Sequence, residues 1–377
     1  MVAGEESGDL HGAHLIRNLK EIIPNLQVYG IGGDCMQEEG MELYYHHRNL
    51  AVVGLSEVIK KLPRLWRVMV KMEEIIRSRH PDVVVLIDYP GFNIRLAQRA
   101  HRLKTKVFYY IAPQIWAWGK KRIPRIVSFV DQMAVIFPFE AELFRETTLP
   151  VTFVGNPLLD IVRPQLSKDE FYQKYNLRKD QPLIGLLPGS RWQEVKRLFP
   201  VMLDSLDYIK QNIPNIQVVV GVVQSLGKER YIPFLPVSNS PLLIESAVYD
   251  IMANADLLLI ASGTATLEAA ILQCPMIILY KMSFITYEIA RRIVKIPKVG
   301  LANVVAGKEI VPEYIQKGLD PAKIAQESVD IIMNEARNHT LRSDLRAVRD
   351  SLGEPGAARR TAELIVEMMK DTKLLNR

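Results

Sequence analysis

Cysteine is nearly absent: Cys35 and Cys274 are the only two in 377 residues. They lie far apart and without metal-ligand spacing, so no disulfide framework is expected and a reducing cytoplasm suits both thiols. No run of about eighteen uncharged apolar residues occurs, which predicts no transmembrane helix. No basic stretch followed by an apolar core opens the chain, so no secretory leader is expected. The glycine-bearing stretches Gly4–Asp9 (GEESGD) and Gly30–Cys35 (GIGGDC) fit neither the G-x-x-x-x-G-K-[ST] phosphate loop nor the G-x-G-x-x-G dinucleotide turn. ATP and NAD readings lose support accordingly. A D-x-D pair to hold a metal-bound diphosphate is missing too, so charge on such a leaving group must be met by protein donors. His11 and His14 share a helix face, yet no carboxylate or thiol cluster completes a ligand set. A packed or surface histidine pair is the expectation, with no metal and no cofactor.

What is present is an ordinary globular composition, 48% hydrophobic and 24% charged, in a chain long enough for two domains. The net charge of +6 is unevenly spread. From Arg48 to Arg125 there are 17 Lys and Arg against 5 Asp and Glu, leaving the rest of the chain net acidic. An anionic partner for the first half follows: phosphate, nucleic acid or an anionic membrane surface. Nucleic acid is disfavoured, because the basic segment carries no nucleic-acid motif with interleaved aromatics.

The chain alternates helical and strand patterns. In residues 1–160 a loop and helix (Ala3–Ile22) precede strand candidates Leu26–Ile31, Val83–Ile87, Val107–Ile111, Gln132–Ile136 and Val151–Val154. Pro157 and Pro164 mark a break, after which residues 161–350 repeat the alternation with Leu183–Leu187, Gln217–Val222, Leu242–Glu245, Asp256–Ala261 and Met276–Tyr280. Such alternation predicts an α/β fold of two doubly wound parallel-sheet domains facing a cleft, with ligands at the carboxyl ends of the strands. Residues 351–377 hold an amphipathic helical stretch, Ala357–Met369, free to dock on either domain.

The most informative stretch is Asp256–Met282, DLLLIASGTATLEAAILQCPMIILYKM, whose parts read strand, small-residue turn, helix, strand. A unit of this kind offers the free N–H groups of a helix N-terminus to an anion. Ser262 and Thr264 serve equally as plain helix caps. Glu268, a turn inside the helix, has the reach for a ribose hydroxyl, and would also complement the helix dipole with no ligand at all. Leu187–Arg191 (LPGSR) likewise joins a strand to a helix; Gly189 lets backbone approach a ligand and Arg191 has the fork for phosphate oxygens. Asn303, in LANVVAG, is weak evidence by itself.

In the first half, Asp88 follows the strand VVVLI and precedes YPGFN, where a carboxylate serves either as a general base or as a turn-former. Trp116 and Trp118 of APQIWAWG read as core or wall, with stacking on a ligand ring as the alternative. Residues 55–76 place Leu62, Leu65, Trp66, Met69, Met72 and Ile76 on one side and Lys60, Arg64, Arg67 and Lys71 on the other. Pro63 suggests two short helices meeting there. A core-facing helix with a solvated basic face competes with an interfacial membrane element.

Together the stretches AGEESGDLHGA, IDYPGFN, APQIWAW, VGNPLLD, LLPGSR, ASGTATLE, CPMIILYKM and LANVVAG resemble the lipid-A-disaccharide synthases, glycosyltransferases of the two-Rossmann-domain GT-B architecture. The second-half motifs have relatives among other nucleotide-sugar enzymes, including UDP-N-acetylglucosamine 2-epimerases and the muramyl-pathway transferase. A UDP-binding, membrane-associated protein without catalysis is the reading of another class. The resemblance implies inverting transfer of 2,3-diacylglucosamine from its UDP form to 2,3-diacylglucosamine 1-phosphate, giving a β-1,6 disaccharide and UDP. It implies Asp88 as base and Gly189, Ser190, Arg191, Ser262, Gly263, Thr264, Ala265, Thr266, Glu268 and Asn303 around UDP. Glu5, Ser7, Gly8 and Asn93 fall on the acceptor side, and Val58, Ile59, Leu62, Leu65, Trp66 and Met69 against acyl chains or membrane. It further implies a peripheral place on the inner face of the cytoplasmic membrane, a C-terminal helix crossing back to the first domain, and leaves a homodimer open. The family has further residues ahead of AGE that form the first strand. Only Met1, Val2 and Ala3 precede Gly4 here, so that strand is expected to be missing and the first domain weakened.

Overall fold

The computed structural model describes residues 1–49, 55–112, 116, 122–237, 240–282 and 298–375, with backbone alone at 55–62 and 371–375. The chain forms two compact units: Met1–Pro157 together with Leu352–Arg377, and Leu158–Ser351.

The first unit is built on a parallel sheet of β1 (Val2–Ala3), β2 (Tyr29–Gly32), β3 (Glu42–His46), β4 (Val83–Ile87), β5 (Lys106–Tyr110), β6 (Gln132–Val135) and β7 (Val151–Phe153). Their order is β3-β2-β1-β4-β5-β6-β7. Alternation along the strands feeds two cores, as a two-residue period requires. Val84, Leu86, Val107 and Tyr109 join Met69, Met72, Ile75 and Ile76 of the helix Leu55–Arg79. Val85, Ile87, Phe108 and Tyr110 join Leu15, Ile16 and Leu19 of the helix Glu6–Ile22 and Ile365, Val366 and Met369 of the helix Ala357–Leu375. The C-terminal helix thus packs on the first unit. It is latched there by Arg360, whose Nε donates to Val154 O at 2.8 Å, and by Asn156 N, which donates to Leu352 O at 2.9 Å. Gly155, at φ +83°, leaves room for this; a Cβ there would stand 2.7 Å from the Arg360 guanidinium.

In the first unit three elements differ from the sequence reading. The first strand is not missing: Val2 pairs with Ile31 and Leu86, and Ala3 with Ile87, in the central slot between β2 and β4. The helix Leu55–Arg79 runs unbroken through Pro63. An interior proline costs about 3 kcal/mol, whereas each apolar side chain buried downstream returns about 1.5–3 kcal/mol. The strand β3, ELYYH, was passed over because its charge and partial exposure hide the apolar pattern.

The second unit has β8 (Leu183–Leu187), β9 (Gln217–Val222), β10 (Leu242–Glu245), β11 (Leu257–Ala261), β12 (Met276–Tyr280) and β13 (Glu313–Ile315), all parallel, in the order β10-β9-β8-β11-β12-β13. Leu257–Ile260 and Met276–Leu279 are 0% exposed, the continuous apolar runs of strands covered on both faces. The three residues of β13 are too few to register as a strand in sequence.

At the amino ends of β1 and β4 lies a pocket of about 370 Å³, lined by Met1, Val2, Ile23, Met72, Ile75, Val83, Val85 and Ile365 among others. In a chain whose first residue is Met1, the terminal amine sits there, donating to Tyr29 O at 2.7 Å. Burial lowers its pKa to about 5. The unfolded chain therefore binds an extra proton between pH 5 and 8, and stability rises with pH across that window. Three β-branched apolar residues added ahead of Met1, prolonging β1 beside Val83–Val85, should fill the pocket and raise the Tm by several degrees, more at pH 6 than at pH 8. Thermal unfolding of both chains at the two pH values checks this; an unchanged or lower Tm would show that the pocket does not accept a longer strand.

Candidate active site

Both sheets reverse their strand order once, and the candidate residues gather at the carboxyl side of those reversals. In an open parallel sheet this is where neighbouring loops diverge and leave room for a ligand.

In the first sheet the reversal lies between β1 and β4. The loop after β1 carries Gly4 and Glu5, and the turn after β4 carries Asp88 and Tyr89. They are in contact: a Cβ on Gly4 would lie 2.2 Å from the Tyr89 ring, so only glycine fits. Asp88 and Tyr89 both adopt left-handed backbone, φ 45° and 48°, and β-branched Ile111 at the end of β5 has φ 63°. Each such residue costs about 1–3 kcal/mol, and strain of this kind gathers at functional sites. The Asp88 turn is held by its own carbonyl, which accepts from Asn93 Nδ2 at 2.8 Å and from the Tyr109 hydroxyl at 2.5 Å. Burial, and then the charge of Glu5, raise the Asp88 carboxyl to about 6 against the opposing pull of the Tyr89 N–H. A carboxyl raised to about 6 is largely ionised at neutral pH and more basic than an ordinary aspartate, so it can take a proton.

The other first-unit residues divide. Glu5 and Ser7 are exposed at the start of the helix Glu6–Ile22. Gly8 is buried, with room for a Cβ only 3.3 Å from that of Ala3, so it serves packing. Asn93 is 0% exposed; its Nδ2 braces the carbonyls of Val2, Ile87 and Asp88, while its Oδ1 is buried with no hydrogen-bond partner among the described residues. Asp9, which sequence reasoning left without a role, ties this helix to the GIGGDC turn. Its carboxylate accepts from the backbone N–H groups of Gly33 (2.6 Å), Cys35 (3.0 Å) and Met36 (3.1 Å). Glu140 was also missed. It is 2% exposed on the helix Pro138–Glu142, and burial raises its carboxyl to about 8, with Asp88 adding to the rise. A short, partly polar helix gives no sequence signal for such a group.

Of the residues assigned to lipid contact, Met69 is 5% exposed in the core and Leu65 packs against that core, whereas Trp66 is 63% exposed. The side chains of Val58, Ile59 and Leu62 lie outside the described residues, as does Trp118.

In the second sheet the reversal lies between β8 and β11, the strands that lead into LPGSR and SGTAT. Gly189 has φ +120°, and a Cβ there would meet Glu194 Oε2 at 2.5 Å. Glu194 in turn accepts from Arg191 N at 3.3 Å and from its Nη1 at 3.1 Å, closing the start of the helix Trp192–Asn212. Ser190 and Arg191 are exposed, the Arg191 side chain at 74%. In SGTAT the hydroxyls are split by role. Ser262 donates to Val299 O at 2.7 Å; buried Thr266 donates to Gly263 O at 2.8 Å and accepts from Leu301 N at 3.0 Å. These two brace the turn. Gly263 and Thr264 are exposed, nothing lies within 4 Å of a Cβ placed on Gly263, and the N–H groups of Thr264 and Ala265 have no acceptor among the described residues. These donors and the exposed Arg191 guanidinium have the chemistry to meet an anion.

Glu268 accepts from the Tyr249 hydroxyl at 3.2 Å, and burial, chiefly, raises its pKa. Asn303 is turned into the fold. It is 0% exposed, with Nδ2 donating to Val311 O and Glu313 Oε1, both at 2.8 Å, and Oδ1 accepting from Ile310 N and Val311 N at 2.8 and 3.0 Å. All four of these side-chain hydrogen bonds are made within the unit. Glu313, unremarked in the sequence, also accepts from Val299 N and Gly300 N at 2.8 and 2.9 Å. Asn303 and Glu313 therefore hold the segment on which Ser262 and Thr266 lean.

Residues 1–368 match the family model described as lipid-A-disaccharide synthetase. The chain is 42% identical over 372 residues to the lipid-A-disaccharide synthase of Syntrophus aciditrophicus, covering 98% of this chain and 97% of that one. With the lipid-A-disaccharide synthase of Nitrosococcus oceani it shares 40% over 375 residues, covering 99% and 97%. Among solved structures, UDP-GlcNAc 2-epimerase from Neisseria meningitidis bound to UDP-GlcNAc matches at TM-score 0.58 and 12% identity, covering 98% of each chain. The calicheamicin glycosyltransferase CalG4 matches at 0.59 and 15%, covering 98% of this chain and 96% of that one. These two likenesses speak for the GT-B fold alone, while the near full-length sequence identities say more: the chain belongs to the lipid-A-disaccharide synthase family of glycosyltransferases.

Proposed function

We propose that the two loop clusters divide the work of the glycosyl transfer, Asp88 removing the acceptor proton and the second unit receiving UDP. The family's reaction joins the anomeric carbon of UDP-2,3-diacylglucosamine to the 6-hydroxyl of 2,3-diacylglucosamine 1-phosphate, with loss of UDP. As the new C–O bond forms and the bond to UDP breaks, Asp88 takes the hydroxyl proton, and the departing diphosphate is met by Arg191 and the N–H groups of Thr264 and Ala265. A helix terminus supplies about 0.3–2 kcal/mol, well below the about 8 kcal/mol at the low end of enzymatic acceleration. A charged donor and a positioned base are therefore both needed.

The observation that carries this reading is the Asp88 turn: a carboxyl raised to about 6, on strained backbone, at a switch point. Replacing Asp88 by Ala should lower kcat by roughly 10²- to 10⁴-fold while UDP binding, followed by calorimetry, stays unchanged; wild-type turnover would remove Asp88 from the mechanism. Because the base must be ionised, kcat/KM should fall about tenfold per pH unit below about 6. Arg191→Ala should weaken UDP binding by about 2 kcal/mol, roughly 30-fold.

Lipid contact is assigned to a narrower surface than the whole helix. Trp66 stands exposed between exposed Arg64 and Arg67, an aromatic with a basic rim suited to the interface of an anionic bilayer. None of the helices among the described residues is long and apolar enough to cross a membrane, and attachment by this patch would place the enzyme peripherally on the inner face. Trp66→Ser should reduce sedimentation with anionic vesicles without changing the Tm, whereas Met69→Ser should unfold the first unit. Unaltered vesicle binding by Trp66→Ser would locate the lipid contact elsewhere.

A further inference from the structure

Glu268 is a half-buried carboxylate with one oxygen in use. Its Oε1 accepts from the Tyr249 hydroxyl at 3.2 Å, whereas Oε2 has no partner among the described residues and stays open to solvent. Glu268 lies one turn after Thr264 along the helix Ala265–Ile271, so the two share a face, about 6 Å apart along the axis. That separation is comparable to the span from the phosphates of a nucleoside diphosphate to its ribose hydroxyls. A carboxylate that served only to tie two helices would gain from committing both oxygens, because burial penalises its charge.

Tyr249 reaches it from across the sheet. It belongs to the helix Val248–Asn254, which follows β10 at the edge of the sheet and packs back over β9 and β8 before β11 begins. Glycine in β8 lets that helix lie close: a Cβ on Gly185 would stand 2.7 Å from Ile251 Cγ2. The first turn of the helix is pinned by buried Asp250, whose Oδ1 accepts from Gln165 N at 2.7 Å and from Leu166 N at 2.8 Å. Ser246, at the entry, has left-handed backbone at φ 57°. The tyrosine therefore arrives from a fixed helix, and its hydroxyl sets which way the Glu268 carboxylate turns.

We propose that Tyr249 is a positioning residue of the nucleotide site, holding Glu268 so that Oε2 accepts a hydrogen bond from a ribose hydroxyl of UDP. The assignment rests on the reading that the second unit receives UDP. Tyr249 touches no ligand; it acts through Glu268. Without its hydroxyl the carboxylate is free to turn, and affinity is lost only where a ribose hydroxyl is present to be met. The pair thus makes the site selective for ribonucleotides, since a deoxy sugar leaves Oε2 without its partner.

The test measures binding of UDP, 2′-deoxy-UDP and 3′-deoxy-UDP by calorimetry to wild type, Tyr249→Phe, Glu268→Ala and the double variant Tyr249→Phe/Glu268→Ala. Wild type should prefer UDP to at least one deoxy form by about tenfold or more, the scale of one hydrogen bond to a charged group. Tyr249→Phe should narrow that preference by about threefold or more, weakening UDP and leaving the deoxy form unchanged. Glu268→Ala should abolish the preference, and the double variant should bind UDP no more weakly than Glu268→Ala alone. A wild type indifferent to both hydroxyls, a Tyr249→Phe that keeps the full preference or weakens all three ligands alike, or additive losses in the double variant would each overturn the proposal. Tyr249→Leu also removes the donor and is read in the same way should Tyr249→Phe not fold. Absence of UDP binding by wild type would instead sink the reading of the second unit, and the proposal with it, which separates the two failures.

Discussion

The first half of the site depends on one side-chain amide. Asn93 is fully buried, and its Nδ2 reaches the carbonyls of Val2, Ile87 and Asp88 at 3.4, 3.1 and 2.8 Å. It thereby couples β1 to β4 across the switch point and grips the carbonyl of a residue with left-handed backbone. Without such a grip the turn would relax, because two consecutive residues at φ 45° and 48° cost about 1–3 kcal/mol each. The Tyr109 hydroxyl reinforces the same carbonyl, and the Tyr89 ring closes over Gly4. A base must meet a hydroxyl within about 2.6–3.2 Å, and in the role proposed for Asp88 it is the surrounding donors, more than the aspartate itself, that would hold it ready.

The two units solve opposite electrostatic problems. In the first, burial makes carboxyls reluctant to ionise: Asp88, raised to about 6, remains able to take up a proton near neutral pH, whereas Glu140, raised to about 8, keeps its own. In the second, an exposed guanidinium and uncommitted N–H groups are arranged on loops whose own hydroxyls are already paired. Serine and threonine in SGTAT are thus divided between bracing and display, so that Thr264 remains outward while Ser262 and Thr266 fix the turn on which it stands. An anion bound there need not reorganise the loop.

Much of this was legible in the sequence and some of it could not be. The continuous apolar strands of the second sheet announce themselves because burial on both faces leaves no polar residue in them. Asp88 and Arg191 stand out because each directly follows a strand into a glycine- or proline-bearing turn. What the sequence leaves open is the choice of hydrogen-bond partner: Asn303 has the same donors and acceptor whether it faces a base or a backbone, and it is the fold that pairs them with Val311, Glu313 and Ile310. Glu140 and Glu313 were invisible for the complementary reason, since a glutamate in a short helix or edge strand reads as solvated. Met69 shows the limit of a helical wheel, which separates apolar from basic faces but does not tell core from lipid.

Sequence motifs and chemistry consequently overlap less than they first suggest. In AGE-x-SGD the aspartate clamps a neighbouring turn, in VGNP the glycine and asparagine latch the returning C-terminal segment, and in LANVVAG the asparagine is spent entirely inside the fold. Changing any of these residues would cost the neighbouring loops their hold. The groups left to meet substrate are few and mostly exposed, and exposure is what lets them exchange ligands. SGTAT-like turns in enzymes of other activities then follow naturally. A cradle for diphosphate is compatible with several reactions, and on the proposed reading what distinguishes this one comes from the first unit, from the raised carboxyl of Asp88 and the turn that holds it.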